Sequence, residues 1–175
     1  MDYTVKTGRP HKQVSGCLVI GVYEKGRPGP GMESVDKACK GRLSELVASG
    51  DLSGKPGHTR LLTGLEGLRS ERLLVVGLGR ERDLNARTWR KALAATFAAL
   101  ADCGARSAVS CLHQAPVKGH DRDWLMRDSV QQHMLAGYRF TACKSKPERE
   151  APRLQQFALL IDDKESVEAG EAAVA

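Results

Sequence analysis

Three uninterrupted apolar runs constrain this chain more than any other feature: Cys17-Leu18-Val19-Ile20-Gly21-Val22, Leu73-Leu74-Val75-Val76-Gly77-Leu78 and Phe157-Ala158-Leu159-Leu160-Ile161. Each has strand length and no polar alternation, so neither face can meet water and both must be covered. Parallel sheets flanked by helices provide that cover, and the intervening sequence supplies helices. Ser34 is placed to cap one, with Val35, Ala38, Cys39, Leu43, Leu46 and Val47 on its inner face and Gly50 as its stop. Asn85 opens a second, with Trp89, Leu93, Thr96, Phe97 and Leu100 facing inward and Gly104 after its end. A third carries Met126, Val130, Met134 and Tyr138 at spacings of four.

Shorter strands are expected at residues 3–6, 58–62 and 107–112, with loops at 26–31 and, polar in character, at 113–121. The alternation predicts an α/β fold of three layers: a mixed, mostly parallel sheet with helices on both faces and the N-terminal strand as an antiparallel edge. Residues 1–161 form one domain. From Lys164 the sequence turns rich in Ala and Glu, as at the start of a further helix spanning 162–175.

Composition narrows the function classes. Hydrophobic residues make up 41% of 175 and charged residues 27%, which suits one globular core and not a disordered chain. No apolar run approaches the ~20 residues that span a bilayer, and residues 1–14 lack the apolar stretch of a secretory signal. The expected location is the cytoplasm, without membrane contact. Cys17, Cys39, Cys103, Cys111 and Cys143 are scattered among apolar neighbours and read as reduced thiols.

Four motifs invite a chemical reading. Gly77-Leu78-Gly79-Arg80-Glu81-Arg82 follows a strand and precedes a helix, as a dinucleotide loop does, but Arg82 replaces the third glycine. Gly50-Asp51-Leu52-Ser53-Gly54-Lys55-Pro56 resembles a phosphate loop one residue short, with proline in place of the magnesium-binding hydroxyl. Cys103, Cys111 and His113, near Asp102, His120, Asp121 and Asp123, lack the paired spacing of a zinc site. No Gly-x-Ser-x-Gly elbow or cysteine nucleophile signature is present. Finally, Arg80, Arg82, Arg87, Arg90 and Lys91 cluster around the start of one helix and are candidate phosphate contacts for DNA, although Glu81 and Asp83 dilute them and the one aromatic residue among them, Trp89, falls on the inward face of that helix.

Three stretches together resemble the N-terminal domain of the leucine (cytosol) aminopeptidase family: residues 2–24, Gly54-Lys55-Pro56-Gly57-His58-Thr59, and Glu71-Arg72-Leu73-Leu74-Val75-Val76-Gly77-Leu78-Gly79-Arg80-Glu81 with its following helix. The resemblance runs from near residue 2 to the C-terminus. It implies a macro-domain-like α/β domain preceding a larger catalytic domain, with residues 162–175 as the start of the connecting helix. It implies a parent peptidase holding two divalent metal ions, zinc or manganese, whose lysine and acidic ligands include an Asn-Thr-Asp-Ala-Glu-Gly-Arg stretch. That stretch is absent from this sequence, so the resemblance assigns no catalytic or metal-binding residue here. It further implies a homo-hexamer, roles for this domain in assembly and active-site access, and DNA as a partner of some bacterial members. The fold analogy alone suggests a third reading, a binder of ADP-ribose-type ligands.

Overall fold

A computed structural model describes residues 2–142 and 153–161, so the expected linking helix at 162–175, Cys143 and the connection 144–152 lie outside the described residues. In chain order the elements are β1 (Asp2–Thr7), β2 (Cys17–Tyr23), α1 (Met32–Ala38), α2 (Arg42–Ala48), β3 (Thr59–Thr63), β4 (Arg72–Gly79), α3 (Ala86–Asp102), β5 (Ser107–Ser110), α4 (Arg122–Ala142) and β6 (Gln156–Ile161). Six strands form one sheet in the order β1-β6-β5-β2-β4-β3. The apolar runs occupy β2, β4 and β6, and β2 is buried along its whole length.

Alternation along each strand divides the core between two faces. Val19, Leu74, Val76 and Leu78 pack with Trp89, Leu93, Phe97 and Leu100 of α3 and with Leu125 and Met126 of α4. Leu18, Ile20, Val22, Leu73 and Val75 pack with Val35 of α1 and Leu43 of α2. The expected three-layer, mostly parallel sheet is therefore present. Asn85 caps α3 as expected, its side-chain oxygen accepting from the backbone N–H groups of Arg87 and Thr88.

Two expectations are corrected. The antiparallel edge is β3, not the N-terminal strand: β1 runs parallel to β6, with Asp2 beside Gln156 and Thr7 beside Ile161. Only eight residues, 64–71, join β3 to β4, too few for a crossover, so that pair must be a hairpin. Nor does Ser34 cap a single long helix. α1 begins at Met32 after Gly31, and left-handed Lys40 and Gly41 separate it from α2. Asp36 stitches the break, one carboxylate oxygen accepting from the N–H groups of Leu43 (2.8 Å) and Ser44 (3.1 Å). Ser34 instead meets His11 Nδ1 at 2.9 Å.

One charged side chain ties the two helices of the same layer. Asp128 of α4 is 2% exposed, accepts from Trp89 Nε1 at 3.1 Å, and takes Arg90 through two nitrogens at 3.1 and 2.9 Å. A buried carboxylate is tolerated when hydrogen-bonded in this way.

A further correction concerns His113, expected in a polar loop. It lies in a 3-10 turn after β5 and is 1% exposed, with the Leu160 backbone as its polar neighbour. Burial above all, then the positive charge of Arg122, pushes its pKa down to about 4. An unfolded histidine takes its proton near 6.5, so between those values the unfolded chain binds a proton that the folded chain refuses. Stability is thus lost as pH falls through that window, by about 3 kcal/mol on reaching pH 4. His133, lowered chiefly by burial, adds the same sign. Urea midpoints measured from pH 7 to 4 should fall, and His113→Leu should make the slope shallower by about one proton; an unchanged slope would refute the assignment.

Candidate functional site

The two nucleotide-like glycine motifs meet at the C-terminal end of β4, and they bind each other. Gly77 N–H donates to the His58 carbonyl at 2.8 Å, Gly79 N–H to the Gly54 carbonyl at 2.8 Å, and Gly57 N–H to the Gly77 carbonyl at 3.0 Å. A Cβ on Gly77 would come within 2.0 Å of the Lys55 carbonyl oxygen, and one on Gly54 within 2.1 Å of the Tyr23 carbonyl oxygen. These glycines serve backbone-to-backbone contact, and the N–H groups of Gly57, Gly77 and Gly79 are already paired. Beside the turn lies a groove of about 390 Å³, lined in part by Asp51, Ser53, Lys55, His58 and Arg60. Its polar groups largely satisfy one another: Arg60 pairs with Asp51 at 3.2 Å, and Ser53 Oγ sits 3.3 Å from His58 Nδ1.

In an open α/β sheet, ligands sit outside the strand ends where the connections diverge. Here that point lies between β2, which leads to β4 on one side, and β5, which leads to β6 on the other. Residues 27–31 fill it. The Arg27 and Pro30 carbonyls accept from the N–H groups of Tyr23 and Gly21, so the loop pairs with the half of β2 that β5 leaves free. A Cβ on Gly31 would approach Ile20 Cγ2 to 2.9 Å and Cys111 Sγ to 3.0 Å.

The metal-like cluster is split by the sheet. Cys103 packs against the core on the α3 side, whereas Cys111 belongs to the core on the α1 side. Asp121 is occupied in accepting from the Trp124 N–H at 2.8 Å. Among the described residues, no three His, Cys, Asp or Glu side chains are grouped to hold a metal ion. Burial drives the Cys17 thiol pKa up to about 12, which leaves it a poor nucleophile.

The five basic positions are exposed around the start of α3 but differ in their partners. Arg80 pairs with Glu24 at 3.2 Å and Arg90 with Asp128, while Glu81 is taken by Arg27 at 3.1 Å. Arg82, Arg87 and Lys91 have no ion pair among the described residues. The structure also brings in aromatic rings from a distant segment, whereas the local Trp89 is buried. Arg90 lies 5.4 Å over the Trp124 ring, and His120 stacks on Trp124 with centroids 3.6 Å apart. The four-residue spacing of Trp124 and Asp128 on one helix was the available signal for this arrangement.

These features define a three-layer α/β domain of macro-like architecture whose glycine-rich loops are spent on internal packing. Its sequence matches the model for the cytosol aminopeptidase family, N-terminal domain, over residues 19–147, and the chain belongs to that family. It is 39% identical over 175 residues to a probable cytosol aminopeptidase of Alkalilimnicola ehrlichii, covering 100% of this chain and 35% of that protein. The chain thus spans about a third of the length of such relatives. Tomato leucine aminopeptidase superimposes with a TM-score of 0.67 at 19% identity, over 99% of this chain and 35% of that one. A Trypanosoma brucei macrodomain solved with ADP gives 0.70 at 13% identity, over 99% and 69%. Both structural likenesses concern fold. The relatives are named for the cytosol, and no helix among the described residues is long and apolar enough to cross a membrane.

The glycine contact gives a paired test. Gly77→Ala should cost about 3 kcal/mol or more because backbone must move, whereas Gly50→Ala, left-handed but facing open space, should cost about 1 kcal/mol. Chemical denaturation compares the two; equal costs would contradict the packing role.

Proposed function

We propose that this chain is the non-catalytic N-terminal part of a cytoplasmic metallo-aminopeptidase that releases N-terminal residues from peptides. In this reading its work is assembly and control of access to the catalytic part. The observation carrying the reading is the family match together with the 35% share of the relatives' length. The parent would use two divalent ions, zinc or manganese, to polarise the peptide carbonyl and supply a nucleophile near neutral pH. The described residues do not fit such a centre, because their candidate ligands lie apart, so no step of the reaction is assigned to them. The parent would assemble as a homo-hexamer, with this domain contacting its own C-terminal catalytic domain. The 175-residue chain should release no leucine from a leucyl peptide with added manganese or zinc, whereas a longer chain carrying the catalytic part should. Metal-dependent turnover by a clean preparation of the shorter chain would contradict the reading.

DNA contact is a second reading, favoured by the Arg90, Trp124 and His120 stack beside Arg82, Arg87 and Lys91. Because Arg80 and Arg90 already pair with carboxylates, about three cations would release counterions, giving a shallow salt dependence. Binding of duplex DNA at low salt should weaken on replacing Arg82, Arg87 and Lys91 together with alanine; binding that survives the triple change would exclude this surface. An ADP-ribose-type reading has less support, since residues 27–31 occupy the crevice such a ligand would need.

A further inference from the structure

The strand β3 closes one side of the sheet, and among the described residues no strand covers its outer edge. Gly77 N–H donates to the His58 carbonyl, and the ladder continues with Arg60 beside Val75 and Leu62 beside Leu73. In an antiparallel pair the backbone groups of alternate residues face the partner. His58, Arg60 and Leu62 therefore turn theirs toward β4, and Thr59, Leu61 and Thr63 present theirs outward. Natural edges are blunted by proline, bulges, lysine or very short strands. This one has no proline, no lysine and a regular register over five residues. Its single charge, Arg60, is neutralised by Asp51 at 3.2 Å.

The strand Thr59-Arg60-Leu61-Leu62-Thr63 is also complementary to itself. Placed antiparallel about a two-fold axis at Leu61, it sets Thr59 opposite Thr63 of a second copy and Leu61 opposite Leu61. In that register each residue with outward backbone groups meets another such residue, so the new ladder is complete without a slip. The cross-strand pairs are Thr with Thr, Leu with Leu, and Arg60 with Leu62, with no like charges directly opposed. Leu61, 39% exposed, would gain an apolar neighbour. We propose that the outer edge of β3 is a self-association surface, where two copies of this chain pair their β3 strands about Leu61 into one continuous sheet.

Five residues per strand bury far less than the ~1,600 Å² of a standard stable interface, so association through this edge alone is weak. The inference extends the assembly role proposed above, and its failure would leave that role intact, because other parts of a longer parent can assemble it. The experiment is residue-resolved amide exchange on the 175-residue chain at about 10 µM and about 1 mM, concentrations that bracket weak association. At half occupancy of the dimer, exchange at Thr59, Leu61 and Thr63 should slow about two-fold by mass action, while Arg60 and Leu62, already paired with β4, should not change. Leu61→Pro removes an outward donor that β4 does not use, and Leu61→Lys opposes two cations at the axis. Each variant should abolish the concentration dependence at Thr59 and Thr63 while keeping the far-UV spectrum. Equal rates at both concentrations, or a dependence that survives Leu61→Lys, would overturn the proposal.

Discussion

The rest of the structure depends on the backbone contact between residues 54–58 and the end of β4. Gly54 lies against the Tyr23 carbonyl on β2, and Gly77 lies against the Lys55 carbonyl, so this turn touches both central strands at once. Hydrogen bonds from Gly77 to His58 and from Gly79 to Gly54 seal it. Side chains cannot enter such a contact, because any Cβ would occupy the space the carbonyls fill. The contact orients the hairpin, brings β3 to the sheet edge, and sets the direction in which the chain leaves β4 toward α3.

This arrangement shows what the nucleotide-like glycine motifs do in this domain. The two sets of glycines satisfy each other, and residues 27–31 complete the hydrogen bonding of β2 where the connections diverge. Macro-like architecture does not by itself imply macro-like ligand binding, because fold and function are separable in general. The accessible features include a basic rim with one aromatic stack and an edge of β3 that no strand among the described residues covers.

Much of the fold was legible in the sequence because its signals were local. Unbroken apolar runs marked β2, β4 and β6, and the oxygen of Asn85 capped α3 as its position required. Signals that depended on distant partners misled. Ser34 has the chemistry of a cap, yet the left-handed Gly31 starts the helix earlier and Asp36 bridges the break that follows. His113 sits in a polar stretch, but the turn after β5 folds it under the sheet end. The direction of β1 was hidden because its partner, β6, is the last strand of the sheet, and no local pattern records that pairing. At the candidate site, the basic residues were visible, whereas their neutralisation by Glu24 and Asp128 required the fold.

The account stands on the glycine contact being part of the cooperative core and not a mobile loop awaiting a phosphate. Native-state hydrogen exchange at the amides of Gly77 and Gly79 measures this directly. Both should exchange only with global unfolding, at the free energy of Leu74 and Val76 in the same strand, and adding ADP-ribose should leave them unchanged. Exchange through local opening at the rates of surface turns, with protection gained on adding ADP-ribose, would contradict the account.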